Sequence, residues 1–378
     1  MSGIEMMAVD PARPPAPGDT MLAVYLPGGS TVNLSTVPVP TPGPGQVLLR
    51  VRASTICGSD LRAIYREHLG SGPEAYQGVV GGHEPCGEVV AVGEACTSTK
   101  VGDRRVVYHI SGCGKCDECR HGYMIGCTSD TRQAYGWQRD GGHAEYLLAE
   151  EGDLLELPDS LTYLDGACVA CGFGTAYEAL RRADTSGADT VLITGLGPVG
   201  LAAGLLARAL GVTVVVGTDP DAHRRQQALD LGAVTAAVAV DELLLALPSG
   251  AHVAVDCSGS GAGQATTLKH TRRWGRTVLV GEGGTLTTQV SEEIIHKQIT
   301  IIGSWVSSTH RMSELLQNLD RWGLHPERIV TNRYRLTDAA EAYRFADSGA
   351  GAKVGIVSDG AVSDPATHDF ATAALPGA

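Results

Sequence analysis

Cys113, Cys116, Cys119 and Cys127 follow one another with the spacing Cys-x2-Cys-x2-Cys-x7-Cys, which lets one short lobe, residues 113–127, wrap four thiolates around a tetrahedral ion. Soft sulfur ligands in that geometry select zinc or an iron–sulfur cluster. A bacterial ferredoxin run continues after its third cysteine with three residues and Cys-Pro, whereas seven residues precede Cys127, so zinc is the expectation. A closed shell of four sulfurs leaves no open position, and the ion is expected to be structural. The competing reading is four unligated thiols in one loop. Ten cysteines in a chain read as intracellular argue for thiolate or metal chemistry over disulfides.

A second chemistry-bearing stretch is Gly195-Leu-Gly-Pro-Val-Gly200, placed after a β-branched run, Val191–Thr194, and before a helical one. In that context Gly195 permits a tight turn, Gly197 lets backbone approach a pyrophosphate, and Gly200 allows close helix packing, with Pro198 and Val199 between them. Asp219 stands 19 positions beyond Gly200, where a carboxylate accepts hydrogen bonds from an adenosine ribose. This predicts NAD over NADP, because a 2′-phosphate would meet a like charge. Arg224 and Arg225 just beyond could compensate and keep NADP as the alternative. A glycine-rich turn with no nucleotide is the bland reading.

The elements that must position these groups divide the chain. From Met21 to about Leu157 short strands are separated by Gly and Pro turns, at Val47–Val51, Gly87–Val92, Arg105–Tyr108 and Ala144–Leu148. From about Ala176 strands and helices alternate: strands at Thr190–Thr194, Thr213–Gly217, Val253–Asp256, Thr277–Val280 and Ile299–Ile302, and a helix at Val199–Leu210. A parallel sheet with helical crossovers is the economical fold. Helices at Ser313–Trp322 and Asp338–Ala346 and a strand at Lys353–Val357 follow, and the tail from Ser358 is expected to be loosely ordered.

The chain has 378 residues, enough for two domains, and a net charge of 29 − 42 = −13, which disfavours nucleic acid and anionic membranes as partners. The opening stretch to Thr20 carries prolines and no apolar core, so it does not read as a secretory signal, and a cytoplasmic location is the expectation. The uncharged window Thr190–Ala207 is interrupted by glycines and splits into strand, turn and helix, which excludes it as a membrane span.

With a four-cysteine lobe ahead of a dinucleotide motif, residues 21 to 357 resemble the zinc-dependent medium-chain alcohol and polyol dehydrogenases. The resemblance implies an α/β architecture: a GroES-like β-rich catalytic domain (1–171), a doubly wound parallel-sheet Rossmann domain (172–306), and a return to the catalytic domain (307–378). It also implies a second, catalytic zinc held by Cys57, His83 and Cys171, with Glu84 as an exchangeable fourth ligand. Such a site needs three protein ligands and one open position, so that a bound water or alcohol is acidified. Asp60 is expected to orient His83 through its other ring nitrogen, and Ser59 to pass the substrate proton outward.

Some positions depart from the family pattern. Arg62 stands where many relatives carry a relay histidine, and it cannot act as a base. Gly58 replaces a residue that in some relatives is basic and touches the pyrophosphate, a contact then expected of Lys353. Thr175 and Val199 match positions that pack on the nicotinamide, and His109 stands where several relatives have a bulky aromatic lining the substrate pocket. The segment Tyr135–Asp140 either borders the substrate or is an exposed loop, and Cys86, Cys96, Cys168 and Cys257 read as small buried residues.

Together the resemblance implies hydride transfer between a secondary alcohol of the polyol, sugar or aminocyclitol class and NAD, giving a ketone, in a homodimer or homotetramer. A simple alcohol or aldehyde dehydrogenase is the runner-up, because sorbitol-type relatives usually have Glu where Cys171 stands. An NADP-linked carbonyl reductase and a catalytically silent binder of NAD and zinc are the remaining alternatives.

Overall fold

The computed structural model describes residues 15–16 and 18–358; residues 1–14, Pro17 and the tail 359–378, with the expectations that fall on them, lie outside the described residues. β1 (Thr20–Gly28) and β2 (Thr31–Pro38) form an antiparallel hairpin. β3 (Gln46–Ile56) leads into a short turn of helix, α1 (Gly58–Asp60), that widens over Leu61–Tyr65. β4 (Pro85–Val92) and β5 (Arg104–Val107) follow, and β6 (Ile110–Ser111) pairs with β7 (Gln133–Ala134) around the four-cysteine lobe and its helix α2 (Asp117–Arg120). β8 lies at Tyr146–Glu150 and β9 at Leu154–Glu156.

Helix α3 (Tyr163–Cys168) then passes through a wide turn, Val169–Phe173, into α4 (Gly174–Arg182). The alternating region begins with β10 (Thr190–Thr194), α5 (Pro198–Ala209), β11 (Val214–Thr218), α6 (Ala222–Asp230) and β12 (Ala236–Val238). It continues with α7 (Leu243–Ala246), β13 (Ala251–Asp256), α8 (Gly261–Lys269), β14 (Thr271–Leu279) and β15 (Thr300–Gly303). These six strands form one parallel sheet in the order β12-β11-β10-β13-β14-β15. Its central strands are covered by helices on both faces, which is why Val191, Leu192, Ile193, Val253, Ala254 and Val255 are all fully buried. Burial of each of the larger side chains stabilises the sheet by roughly 1.5–3 kcal/mol. The strand order reverses between β10 and β13, and the glycine motif lies at the carboxyl end of β10, beside that crevice.

The chain then returns. α9 (Thr309–Trp322) buries Met312, Leu315, Leu316 and Leu319, a stripe at helical spacing. Its Ser308 cap accepts a hydrogen bond from the Arg311 amide, and Gly323 ends it in the left-handed conformation. β16 (Val330–Arg335), α10 (Ala339–Ser348) and β17 (Lys353–Val357) follow, and β17 pairs antiparallel with β3, placing Val354 opposite Ile56. This closes a seven-stranded sheet in the order β16-β17-β3-β4-β5-β9 with β8 also on β3, so the two ends of the chain share one sheet. Among the described residues no helix is long and apolar enough to cross a membrane.

Candidate active site

Three neighbouring strands converge on one point. In the register of the sheet Ser54 of β3 faces Pro85 of β4, and Ile56 faces Val354 of β17. Residues just beyond these pairs, Cys57 after β3, His83 and Glu84 before β4, and Lys353 opening β17, therefore sit together at one sheet end. Cys171 reaches the same point from the wide turn between α3 and α4. One ligand atom from each of Cys57, His83, Glu84 and Cys171 lies within 4.8 Å of every other. The four residues expected around a catalytic metal are thus brought together by long-range pairing.

The turn that presents His83 is built by close backbone approach. Gly82 has φ +87°, and a Cβ there would come within 2.4 Å of the buried His143 ring, so only glycine fits. Gly141, Gly142 and His143 hold the turn from the other side, donating amides to the Val80, Gly82 and Gly81 carbonyls at 2.8, 2.7 and 2.9 Å. The segment Tyr135–Asp140 runs from a fully buried end at Tyr135 to an exposed one at Asp140. Tyr135 is fully buried with its hydroxyl 2.8 Å from Asp153, and Asp140 accepts the Val80 amide at 3.0 Å, so the segment braces the metal-site turn.

Electrostatics fit a divalent cation. Asp60, fully buried, accepts from His83 Nδ1 at 2.8 Å and from the Cys57 amide at 3.0 Å, which fixes the imidazole and leaves Nε2 as the nitrogen that could take a metal ion. A hydrogen bond from the Cys171 thiol, outweighing burial, holds Cys57 well below the ordinary thiol range, and the same bond with burial holds Cys171 well above it. Two sulfurs sharing one proton beside an oriented imidazole are a donor set that a zinc ion would complete by displacing that proton. Burial also pushes the Glu84 carboxyl up to about 7, against the pull of Lys353. Burial works to lower the Lys353 ammonium, but the Glu84 carboxylate together with the Cys57 and Cys168 sulfurs holds it above its usual range.

Lys353, expected at the pyrophosphate, is 3% exposed, and its Nζ stands 2.5 Å from Glu84 Oε2, so in this structure it is paired with the carboxylate beside His83. Thr55 Oγ1 donates to the same oxygen, leaving Glu84 Oε1 without a protein partner. Neither Thr55 nor this role of Lys353 carries any local signal in the sequence; both depend on strand register.

Ser59 lies half-buried in α1, and Arg62, three residues on, turns away from any relay: its Nη1 donates to the Glu282 carbonyl at 2.9 Å, across the cleft between the two sheets. His109 is 5% exposed, its ring centroid 5.3 Å from that of His83, with Nδ1 2.8 Å from the Ala170 carbonyl. Burial, aided by His83, lowers its ring to about 4. The neutral ring donates from Nδ1 and leaves Nε2 as an acceptor.

At the nucleotide motif, Gly195 has φ +88° and Gly200 packs so closely that a Cβ would fall 1.9 Å from the Gly195 carbonyl oxygen. Gly197 caps α5, with Pro198 in its first turn; the nearest atom to a Cβ at Gly197 would be Arg224 Nη1, 3.9 Å away, so this surface is open. Asp219, 5% exposed, accepts the Leu196 amide at 2.8 Å and the Asp221 amide at 2.9 Å, each oxygen keeping a free lone pair. Arg225 turns back to the Asp219 carbonyl. Thr175 in the first turn of α4 and Val199 in that of α5 are both half-buried on helices that pack together.

The four-cysteine lobe is likewise assembled, its four sulfurs within 4.8 Å of one another. Cys113 Sγ accepts amides from Lys115 and Cys116 at 3.4 Å, and these bonds lower it to about 6, while Cys127 Sγ accepts the Cys113 amide at 3.4 Å. Amides aimed at sulfur stabilise thiolates, as a four-sulfur metal site requires. The lobe docks through Tyr123, whose hydroxyl donates to buried Glu178 of α4, and through the Gly122 carbonyl, which accepts the Thr309 amide at 3.0 Å. Of the remaining cysteines, Cys86 and Cys168 are buried, but Cys96 and Cys257 are only partly so.

Comparison with known proteins agrees with this arrangement. Residues 43–159 match the alcohol dehydrogenase GroES-like domain and residues 198–321 the zinc-binding dehydrogenase domain. The chain is 48% identical over 345 residues to YphC of Escherichia coli, an uncharacterized zinc-type alcohol dehydrogenase-like protein, covering 89% of this chain and 98% of that one. It is 31% identical over 331 residues to a sorbitol dehydrogenase of Halalkalibacterium halodurans, covering 84% of this chain and 93% of the relative. Among solved structures, a zinc-binding dehydrogenase of Sinorhizobium meliloti bound to NADP superposes with a TM-score of 0.80 at 26% identity, over 90% of this chain and 99% of that one. By sequence and fold, the chain belongs to the zinc-type medium-chain dehydrogenases/reductases and is an NAD(P)-linked dehydrogenase acting on CH–OH groups.

Proposed function

We propose that this dehydrogenase interconverts a secondary hydroxyl of a polyol, sugar or aminocyclitol with the corresponding ketone, using NAD. The observation that carries the reading is His109, a polar ring beside His83 whose Nδ1 is spent on Ala170 and whose Nε2 is left to accept from a substrate hydroxyl. A purely apolar substrate would strand that nitrogen. The likeness to sorbitol dehydrogenase supports the same class.

Cys57, His83 and Cys171 would hold the catalytic zinc, and bound zinc and NAD would supply a Lewis acid and a hydride acceptor, respectively. Asp60 keeps His83 in one tautomer and orientation. Lys353 and Thr55 hold one oxygen of Glu84, so its other oxygen is the one free to approach the metal position during ligand exchange. Ser59 takes the hydroxyl proton outward, and because Arg62 is bonded to Glu282, the onward path runs to solvent and cofactor ribose. Asp219 receives the adenosine ribose. The four-cysteine lobe would hold a second, structural zinc.

Use of NADP is the second reading, favoured by Arg224, whose guanidinium lies beside Gly197. The test is reduction of NAD and NADP over a panel of polyols, aminocyclitols and simple alcohols. Higher kcat/KM with NAD and a polyol or aminocyclitol supports the reading; turnover confined to simple alcohols, or to NADP, overturns the substrate class or the role of Asp219.

A further inference from the structure

Arg62 joins two parts of the molecule that the sequence keeps 220 positions apart: its Nη1 donates to the Glu282 carbonyl at 2.9 Å. Arg62 belongs to the widened turn that follows Ser59, and Glu282 to the loop Gly281-Glu-Gly-Gly284 beyond β14. The arginine end is fixed by packing. Ile64 and Tyr65 of the same turn are buried in one cluster with Ile56, Val354 and Tyr343.

The loop is fixed from behind. The Val280 and Gly281 amides both donate to the Asp256 carbonyl of β13 at 3.0 Å, and Gln264 of α8 donates its Nε2 to the Gly283 carbonyl at 3.0 Å. A Cβ at Gly281 would fall 2.1 Å from the Gly259 amide nitrogen, so backbone lies directly on backbone. Gly283 has φ +112°, and a Cβ there would stand 3.2 Å from the Gly259 carbonyl oxygen and 3.8 Å from Arg62 Nη1. A ledge of bare backbone is thus clamped between the β13–α8 turn and one guanidinium. Among the described residues, no other hydrogen bond reaches this loop from the seven-stranded sheet.

The position of the ledge in the parallel sheet says what it serves. A dinucleotide crosses the crevice where the strand order reverses, here between β10 and β13. With the adenosine end at Asp219, just beyond β11, the nicotinamide end falls on the β13–β14 side, beside the ledge.

We propose that Arg62 is a positioning residue for the cofactor: by tethering Glu282 it holds the Gly281–Gly284 ledge against the nicotinamide end of a bound dinucleotide. The proposal rests on the cofactor placement given above, and extends it to a side chain outside the glycine motif that a histidine at this position could not replace as a forked donor.

The test is isothermal titration of the zinc-loaded enzyme with NADH and with ADP-ribose, which lacks the nicotinamide, in wild type, Arg62→Met and Arg62→Lys. Arg62 is exposed, so its loss leaves the core intact, and circular dichroism checks this. Arg62→Met is expected to raise the Kd for NADH about fivefold, the worth of one hydrogen bond, and to leave that for ADP-ribose unchanged. Arg62→Lys, which keeps a cationic donor, should recover part of the NADH affinity. An unchanged NADH affinity in Arg62→Met, or equal losses for NADH and ADP-ribose, overturns the tether and leaves the cofactor reading standing. If wild type binds NADPH and not NADH, the NAD reading falls, and NADPH against 2′-phospho-ADP-ribose decides the tether by the same criteria. A wild-type enzyme that binds neither dinucleotide overturns both.

Discussion

Lys353 Nζ lies 2.5 Å from Glu84 Oε2, and the two side chains are 3% and 0% exposed. The pair links the last strand of the sheet to the segment carrying His83, so a residue near the end of the chain sets a carboxylate in the metal site. Breaking a buried pair by removing one partner leaves an uncompensated charge, at a cost of about 3–5 kcal/mol. Lys353→Met should therefore lower stability by about that amount, read by denaturant unfolding, and adding Glu84→Gln should recover much of the loss. A single variant as stable as wild type would contradict the pairing.

Tyr123 anchors the four-cysteine lobe by donating to Glu178, whose other carboxylate oxygen has no partner and which is 1% exposed. Tyr123→Phe strands that carboxylate and should cost about 1–3 kcal/mol. Thermal unfolding reads this, and an unchanged midpoint would show that the lobe is held by other contacts.

The glycines of the nucleotide motif should separate folding from binding. A Cβ at Gly197 would meet only Arg224 Nη1 at 3.9 Å, whereas one at Gly200 would lie 1.9 Å from the Gly195 carbonyl oxygen. Gly197→Ala is expected to unfold like wild type while its KM for NAD rises about tenfold. Gly200→Ala should lose about 3 kcal/mol of stability. The reverse order of effects would place the cofactor elsewhere.

His325 gives a pH signature of its own. Its Nδ1 lies 2.7 Å from buried Asp165, and that hydrogen bond, with the carboxylate charge, outweighs partial burial and raises the imidazole above its ordinary value of about 6.5. A group whose folded value is raised adds stability that is complete below the unfolded value and disappears as pH climbs through the folded one. The stability difference between wild type and His325→Gln should thus be larger near pH 6 than near pH 9. A difference independent of pH would show that the imidazole is not charged in the folded state.

Much of this architecture was legible in local sequence. The strand at Thr190–Thr194 appears as expected and the helix after the glycines within a residue, because β-branched runs and glycine punctuation are local signals. The six-cysteine-and-histidine ligand atoms of the two metal sites also carry their own motifs, and Glu84 follows His83 directly. Boundaries shifted where pairing decides them: β8 begins at Tyr146 and not at Ala144, which makes only a bridge to Ala23. β16 was not foreseen, since its polar sequence becomes a strand only by pairing with β17. The contact of Lys353 with Glu84 was invisible for the same reason: it follows from a register joining residues some 270 positions apart, which no local pattern encodes.

The proposed catalytic metal site of Cys57, His83 and Cys171 is distinct from the four-cysteine lobe. It is tested most directly by zinc content per chain and dehydrogenase activity, measured together in wild type and Cys57→Ala. The expected result is two zinc ions per wild-type chain, and in the variant one zinc with activity lost. A wild-type chain with one zinc, or a Cys57→Ala variant that keeps its activity, would contradict the account.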